Sequence, residues 1–499
     1  MSELSGHSRE HTRLLSDYRR SWIDGRSVDD AEGAMSHIYA GNGEALGESD
    51  WVGAAGIDRA VAAARRAFAS WGAAPLGERR AALHRFADAI AANVERLAMI
   101  ESLEAGRPLG DATILIAQAP DFLRRYIGMI DGAQGDVIAG ETRQINLSWR
   151  RPRGVVAAIL PWNFPVMNMM VRIAPALAAG NCLVVKPSEN TPHSAVMLAR
   201  LASEAGLPDG VLNVVLGDGA GAGRVLAEHA DIDLLTFTGS TETGLAISRG
   251  AAARTLKPVL LECGGKSPQI LLDDIFDDGG IWQPIFFSSF WNSGQWCAAK
   301  TRLLVPRARV EQAVEALKGA AAAWQMGDPL AEGTRLGPLI NAAQHARVEH
   351  YFDAARRLGT VEALGCPSDQ LDPRGLFVQP SVALGQPRGS EVVREEVFGP
   401  LLTIEAYDDI DDAITLANDS DYGLMANAWT RRSDLAHRLS RSLVAGAITL
   451  YSSGEAAFAT PPDVAGAYLE PQKQSGHGVD GGLPGLLAYS TAQSVAWLH

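Results

Sequence analysis

The stretch GVVAAILPWNFPVMNMMVRIAPALAAGNCLVVKP, Gly154 to Pro187, decides the fold. It opens on an unbroken apolar run, Val155 to Leu160, and closes on another, Cys182 to Val185. Each has the length and composition of a strand buried on both faces. The segment VMNMMVRIAPALAAG between them carries its apolar residues at helical spacing. Strand, helix and strand over so short a length form a βαβ unit, with parallel strands and the ligand loops at their carboxyl ends. Outward from this unit, VLNVVLG and DLLTFTG repeat the strand signal, while TPHSAVMLARLASEAG and GAGRVLAEHA repeat the helical one.

Upstream, Ile57, Ala60, Val61, Ala64, Phe68 and Trp71 recur at helical spacing. Leu83, Phe86, Ile90, Val94, Leu97 and Ile100 do the same before Gly106 and Pro108, which predicts a pair of helices with one buried face each. Downstream of Leu261 a second alternation follows, with strands in PQILLDD, TRLLVP, PLLTIEAY and GAITLY and a helix near Val310 to Trp324. GHGVDGGLPG is expected to loosen the chain near its end, with LLAYSTAQSVAWL as a terminal strand. Two α/β lobes are expected.

The chain of 499 residues carries a net charge of −14 without a Lys/Arg-rich run, which argues against nucleic acid or an anionic membrane as partner. The apolar stretch Val155 to Val185 is interrupted by Asn163, Asn168, Arg172 and Asn181, so it does not span a bilayer as one helix. The first residues lack an apolar signal-peptide core, and four cysteines without metal-ligand spacing suit a cytoplasmic protein with free thiols and no metal.

Two glycine loops follow strands. GDGAGAGRVL matches G-x-G-x-x-[GA] as Gly217, Gly219 and Ala222, but in a chain with 51 glycines the pattern alone does not separate a dinucleotide loop from a plain turn. FTGSTETG offers Gly239 for a tight turn, the hydroxyls of Ser240 and Thr241, and Gly244 for close packing of the next helix, which suits a pyrophosphate at a helix N-terminus. In KPSEN, Lys186, Ser188 and Glu189 stand at a strand end. A carboxylate there accepts from a ribose diol and repels a 2′-phosphate, favouring NAD over NADP.

LECGGKSP sets a carboxylate, Glu262, beside a thiol, Cys263. Successive strand side chains point to opposite faces, so the two are not expected to serve one reacting atom. A free cysteine is usually a small buried hydrophobe, and Cys182, Cys263 and Cys366 are read that way. Cys297, in NSGQWCAAKTRLLV, differs. Gly294 permits a close backbone approach, and Phe286, Phe287, Phe290, Trp291 and Trp296 would desolvate a substrate.

Together these stretches resemble the aldehyde dehydrogenase superfamily over nearly the whole chain. PWNFP, KPSE, FTGSTETG, LECGGKSP, GQWC, EEVFGP and YGL occur in the family's order. The resemblance implies an α/β fold with a Rossmann-like cofactor domain, an α/β catalytic domain and a small β oligomerisation element. It implies Cys297 as nucleophile, Asn163 with the Cys297 backbone N–H as the oxyanion site, and Glu262 as the base that hydrolyses the thioester. Lys186 is implied on both the catalytic and the cofactor side. Glu189, Ser188, Gly239, Ser240, Glu396, Phe398 and Trp162 are implied as further cofactor contacts, and Lys473, Ser475 and Gly476 as a C-terminal KxSG motif. The family places GDGAGAG near the adenine end and FTGST at the phosphates.

The implied domains are 1–131 with 153–262 for NAD, 263–470 for catalysis, and 132–152 with 480–499 for assembly as a homodimer or homotetramer. A hairpin around Asp136 to Pro152 is expected to pair with another subunit. Glu262 argues against a CoA-acylating relative, and Cys297, Asn163 and Glu262 together argue against a non-catalytic one. The chain departs from the family at Cys263, at GHGVDGGLPG and at TLYSSG. Phe164, Trp291 and Trp296 are implied as pocket lining, so an aromatic or bulky apolar aldehyde is expected over acetaldehyde. A betaine-type aldehyde in an aromatic cage is the alternative, ranked lower because Val171 stands where such cages often carry another aromatic.

Overall fold

The computed structural model describes residues 6–138, 140, 143–368, 371–455 and 468–498. Five parallel strands form the centre of an eight-stranded sheet: β1 (Val155–Ile159), β2 (Cys182–Lys186), β3 (Leu212–Val214), β4 (Leu234–Thr238) and β5 (Val259–Glu262). Their spatial order is β3-β2-β1-β4-β5, every neighbouring pair parallel. The order reverses between β1 and β4, and at such a switch point the loops leaving the strands diverge and open a crevice. β1, β2 and β3 are buried along their whole length, which is why they read as continuous apolar runs.

Helix α1 (Pro165–Ala178) connects β1 to β2. Proline at its first position gives up an N–H that no helix bond would use. The helix is followed by Gly180 at φ +93°. Next to it, buried Asn181 accepts from the Gly154 N–H (2.9 Å) and donates to the carbonyls of Ala176 (3.0 Å) and Tyr489 (2.9 Å). The polar breaks in the apolar stretch are thus knots that tie separate segments together.

A second sheet of seven strands lies downstream in the chain. It runs in the order 360–363, 381–384, 401–407, 302–306, 268–271, 425–429, 447–451, parallel except at its 360–363 edge. Arg302 and Glu405 form a buried ion pair (2.7 Å) between two adjacent strands. A three-stranded antiparallel sheet joins 137–138, 144–152 and 490–498. Among the described residues no helix is long and apolar enough to cross a membrane.

Three expectations change. The apolar series from Leu83 to Ile100 is two helices, Leu76–Ala91 and Val94–Ala105, broken where Asn93 leaves helical geometry and its side chain donates to the Ala89 carbonyl (2.8 Å). The terminal apolar run divides into a short helix, Gly482–Ala488, and a strand, Ser490–Leu498. GHGVDGGLPG is no loose segment. Gly476 and His477 pair antiparallel with Leu261 and Glu262 at the edge of the first sheet, and Asp480 is buried. Its glycines serve close approach rather than freedom: at Gly476, φ is +122° and a Cβ would lie 2.0 Å from the Leu261 carbonyl oxygen. Gly476→Ala is therefore expected to cost on the order of 3 kcal/mol of stability. A lowered midpoint in thermal or urea unfolding, with loss of activity, checks this.

Candidate active site

The residues singled out in the sequence converge on the carboxyl edge of the first sheet. Trp162 and Asn163 follow β1, Lys186 ends β2 with Ser188 and Glu189 after it, the 217–223 loop follows β3, Gly239 and Ser240 follow β4, and Glu262 ends β5. The second lobe supplies Cys297 and Glu396 to the same place. Glu396 there raises the pKa of the Cys297 thiol.

Cys297 follows helix α3 (Trp282–Phe290) and a turn with three successive left-handed residues, Asn292 (φ 54°), Ser293 (φ 55°) and Gly294 (φ 73°). Such a run is costly for side-chain-bearing residues. It is held by bonds that leave it no alternative. Ser293 donates to the Gly337 carbonyl (2.7 Å), Gln295 donates to the Asn292 carbonyl (3.1 Å), and the Ile340 N–H donates to Gln295 Oε1 (2.9 Å). A Cβ on Gly294 would lie 2.3 Å from the Gly399 oxygen, so only glycine lets the turn approach that loop.

The Asn163 side-chain N–H donates to the Gln295 carbonyl (3.1 Å), which places the amide at the Cys297 turn. Beneath it lies Arg107. Its guanidinium donates to the Asn163 backbone carbonyl (2.5 Å), pairs with Glu101 (3.2 Å) and sits 4.1 Å from the Phe164 ring centroid and 5.2 Å from that of Trp291. Arg107 and Glu101 are both fully buried. Phe164 packs on Trp291 (5.3 Å), Phe287 stacks on Trp291 (5.2 Å), and Trp296 meets Trp291 edge-on (5.4 Å). The Trp291 indole N–H donates to Asp111 (2.9 Å), which fixes the orientation of that wall.

The two residues of the acid–thiol pair face different surroundings. Cys263 is buried, and a Cβ on Gly244, in helix α2 (Thr241–Ala252), would lie 2.9 Å from its sulfur. Burial pushes that thiol up to about 12. Glu262 is held well above the usual carboxylate range, first by burial and then by the Asp480 carboxyl hydrogen-bonded to it, with Arg172 working against both. Arg172 in turn pairs with Asp480 (2.5 Å) and donates to Thr238 Oγ1 (2.8 Å). A carboxyl beside another in the interior is harder to ionise, so Glu262 holds its proton more tightly than an exposed acid would.

Cys297 is half-buried, and its thiol is pushed up to about 12 by burial, then by the carboxylates of Glu396 and Glu262. Glu396 accepts from the Gly265 N–H (2.9 Å), and burial raises it to about 7. The glycines of LECGGKSP make this convergence possible: a Cβ on Gly264 would lie 2.3 Å from Glu396 Oε2, and one on Gly265 would lie 2.7 Å from the Cys297 carbonyl oxygen.

Along the crevice, the buried Lys186 ammonium donates to the Pro187 carbonyl (2.7 Å) and lies 3.4 Å from Glu189, which keeps about a third of its side chain exposed. Burial lowers the ammonium's pKa, while Glu189 and Asp218 oppose that. Asp218 belongs to the first glycine loop, so that loop and KPSEN face each other. Ser188 is buried, and its hydroxyl accepts from the Asn190 N–H (3.2 Å). The first glycine loop forms a π turn, 219–223, followed by only a short helix, Arg224–Glu228. Ser240 instead caps the longer α2 by accepting from the Thr243 N–H (3.2 Å), and the Gly239 N–H donates to the Glu262 carbonyl (3.0 Å). Trp162 and Phe398 meet edge-on at 5.3 Å, with Phe398 at φ 57°. Among the described residues no group of three or more His, Cys, Asp or Glu side chains is placed to hold a metal ion.

A switch-point crevice beside a half-buried thiol, a side-chain amide and a buried carboxyl is the arrangement against which relatives can be compared. The aldehyde dehydrogenase family model matches residues 27–495. The chain belongs to the aldehyde dehydrogenase family. It is 39% identical over 447 residues to the aminoacetaldehyde dehydrogenase of Pseudomonas aeruginosa, covering 89% of each chain. It is 36% identical to the mitochondrial benzaldehyde dehydrogenase of Antirrhinum majus, covering 86% of this chain and 81% of that one. Its fold superposes with a TM-score of 0.92, at 33% identity and 99% coverage of both chains, on the indole-3-acetaldehyde dehydrogenase of P. syringae solved with NAD+ and IAA. The chain is therefore of an oxidoreductase family, with the aldehyde dehydrogenase fold.

Asp480, Arg172, Arg107 and Glu101 were not legible as parts of the site. Arg172 carried a signal, as the one charge inside an otherwise apolar helix, and Asp480 carried one as the acid in a glycine-rich segment. Nothing in the sequence joined them across the chain. Arg107→Met leaves Glu101 as an unpaired buried charge, which typically costs about 3–5 kcal/mol. The double variant Arg107→Met/Glu101→Gln is expected to recover part of that, as a double-mutant cycle in urea would measure.

Proposed function

We propose that this chain oxidises an aldehyde to its carboxylic acid with NAD, through a thioester on Cys297 that water hydrolyses. The observation that carries this reading is the Asn163 amide anchored to the Cys297 turn, with Glu262 buried at the end of β5 in the same crevice. The Cys297 thiolate attacks the carbonyl carbon, and the developing oxyanion is received by the Asn163 side chain and the Cys297 backbone N–H. NAD, when bound, accepts the hydride that leaves the thiohemiacetal. Glu262 then takes a proton from the water that attacks the thioester, which returns the thiol and releases the acid.

The crevice suits a dinucleotide by its chemistry. Glu189 and Lys186 offer an acceptor and a donor for a ribose, Ser188 lies between them, and the α2 N-terminus, turned into place by Gly239 and capped by Ser240, suits a phosphate. Glu396 is assigned to the nicotinamide ribose, with Phe398 and Trp162 flanking the ring. Residues 1–131 with 153–262 form the cofactor domain and 263–470 the catalytic domain. Residues 132–152 with 480–499 form the assembly element, whose strands expose Val137, Trp149, Trp497 and Leu498. A homodimer or homotetramer covering that face is the expected state.

The aromatic wall of Phe164, Phe287, Trp291 and Trp296 supports an aromatic or bulky apolar aldehyde, the class named in the benzaldehyde and indole-3-acetaldehyde relatives. A cationic aldehyde is the second reading, supported by Asp111 at the Trp291 edge and by the aminoacetaldehyde relative. One face of Phe164 is already covered by Arg107, which weakens a cation cage. Turnover of benzaldehydes, alkanals, aminoacetaldehyde and betaine aldehyde ranks the two, and acetaldehyde as best substrate overturns both.

Cys297→Ala is expected to abolish NADH formation. Glu262→Gln is expected to retain a single burst of NADH and slow steady turnover by about 10²–10⁴-fold. Stopped-flow absorbance reads both. Glu262 must be deprotonated to act, and Asp480 raises its pKa while Arg172 lowers it. Asp480→Asn removes the raising charge and leaves the lowering one. The acidic limb of the thioester-hydrolysis rate should therefore move to lower pH, and an unmoved or upward-shifted limb counts against the coupling.

A further inference from the structure

Lys300 is a buried cation that the mechanism above leaves unused. It stands three residues after Cys297, and its backbone N–H donates to the Ser288 carbonyl (2.8 Å), which fixes it against α3. Its ammonium donates to the Ala298 carbonyl (2.7 Å), lies 3.5 Å from the Met425 sulfur and stands 5.4 Å from the Trp296 ring centroid. Trp296 and Ala298 are the two chain neighbours of Cys297, so the charge is confined to the nucleophile's own turn.

Among the described residues Lys300 forms no ion pair with a carboxylate; its partners are a carbonyl, a thioether and an aromatic face. A buried ammonium with only such partners lacks the counter-charge that ordinarily offsets desolvation. The anion missing from its surroundings is one that the turn itself can generate, by ionisation of Cys297.

We propose that Lys300 is the resident counter-ion of the Cys297 thiolate, a positioning residue that favours the ionised nucleophile without touching substrate. The proposal rests on the reading of Cys297 as nucleophile. The thiol proton passes to solvent, and the negative charge is left on a sulfur whose own turn carries the ammonium. The need for such a partner follows from the surroundings. Burial, Glu396 and Glu262 all oppose the thiolate; the Cys297 backbone N–H acts against them first, and Lys300 is the cation that adds to it. Burial in turn lowers Lys300 to about 8, and Cys297 pulls it back up. The two groups are thus coupled, each favouring the charged form of the other.

The test is the pH profile of Cys297 alkylation by iodoacetamide in the full-length enzyme, read by peptide mass spectrometry from about pH 6 to 10. Wild type is compared with Lys300→Met, Lys300→Gln and Lys300→Arg. Loss of the charge is expected to slow alkylation near neutral pH by about tenfold and move the profile to higher pH, with Arg restoring it. The Gln variant keeps a donor for the Ala298 carbonyl and covers the case in which the Met variant does not fold. Coincident profiles for wild type and the folded neutral variants overturn the proposal, and so does an Arg variant that behaves like Gln. If Cys297→Ala retains NADH formation, the nucleophile reading fails and takes the proposal with it. A dead Cys297→Ala with an unmoved Lys300 profile removes the counter-ion alone.

Discussion

The Asp480–Arg172 ion pair is the contact on which the geometry around Glu262 depends. It draws a segment from the end of the chain onto a helix of the first sheet, and in doing so seats residues 475–477 along β5. The Cys263 N–H donates to the Ser475 carbonyl (2.8 Å), and the Ser475 hydroxyl donates to the Gly264 carbonyl (2.8 Å). The path of LECGGKSP is thus set from both sides, by β4 through Gly239 and by the C-terminal segment. A carboxyl at the end of an edge strand would otherwise swing into solvent. Here it is held inside, against a second acid whose charge is only partly cancelled.

That arrangement makes the crevice hostile to negative charge. Glu262, Glu396 and Asp480 crowd the region that also holds the Cys297 thiol, and burial removes the water that would screen them. The local backbone shares the load. Gly264 and Gly265 admit Glu396 and the Cys297 carbonyl to distances no side chain would tolerate, and the left-handed run at Asn292 to Gly294 is locked by Ser293 and Gln295. The site is compact because its glycines are placed where acids and backbone converge.

Much of the fold was legible because both faces of β1, β2 and β3 are buried, leaving long apolar runs between helical patterns. The separation of Glu262 from Cys263 followed from strand alternation alone. The break at Asn93 was not legible, since the apolar period continues across it and the interruption lies in backbone geometry. The role of GHGVDGGLPG was hidden for the opposite reason. Glycine density signals freedom in a sequence, whereas here a Cβ on Gly476 would strike the Leu261 backbone and one on Gly478 the Leu260 side chain. Arg107 and Asp480 needed their partners, and those partners are brought near only by folding.

Arg107 holds the Asn163 backbone with one nitrogen while its flat face lies along Phe164 and near Trp291. On the roles proposed for the aromatic wall and for Asn163, selectivity and rate share one mechanical support. Reshaping the wall would strip cover from a buried guanidinium and slacken the amide it carries. In this scaffold a change of pocket is also a change of machinery, and redesign would have to refill the space over that cation before altering what the pocket accepts.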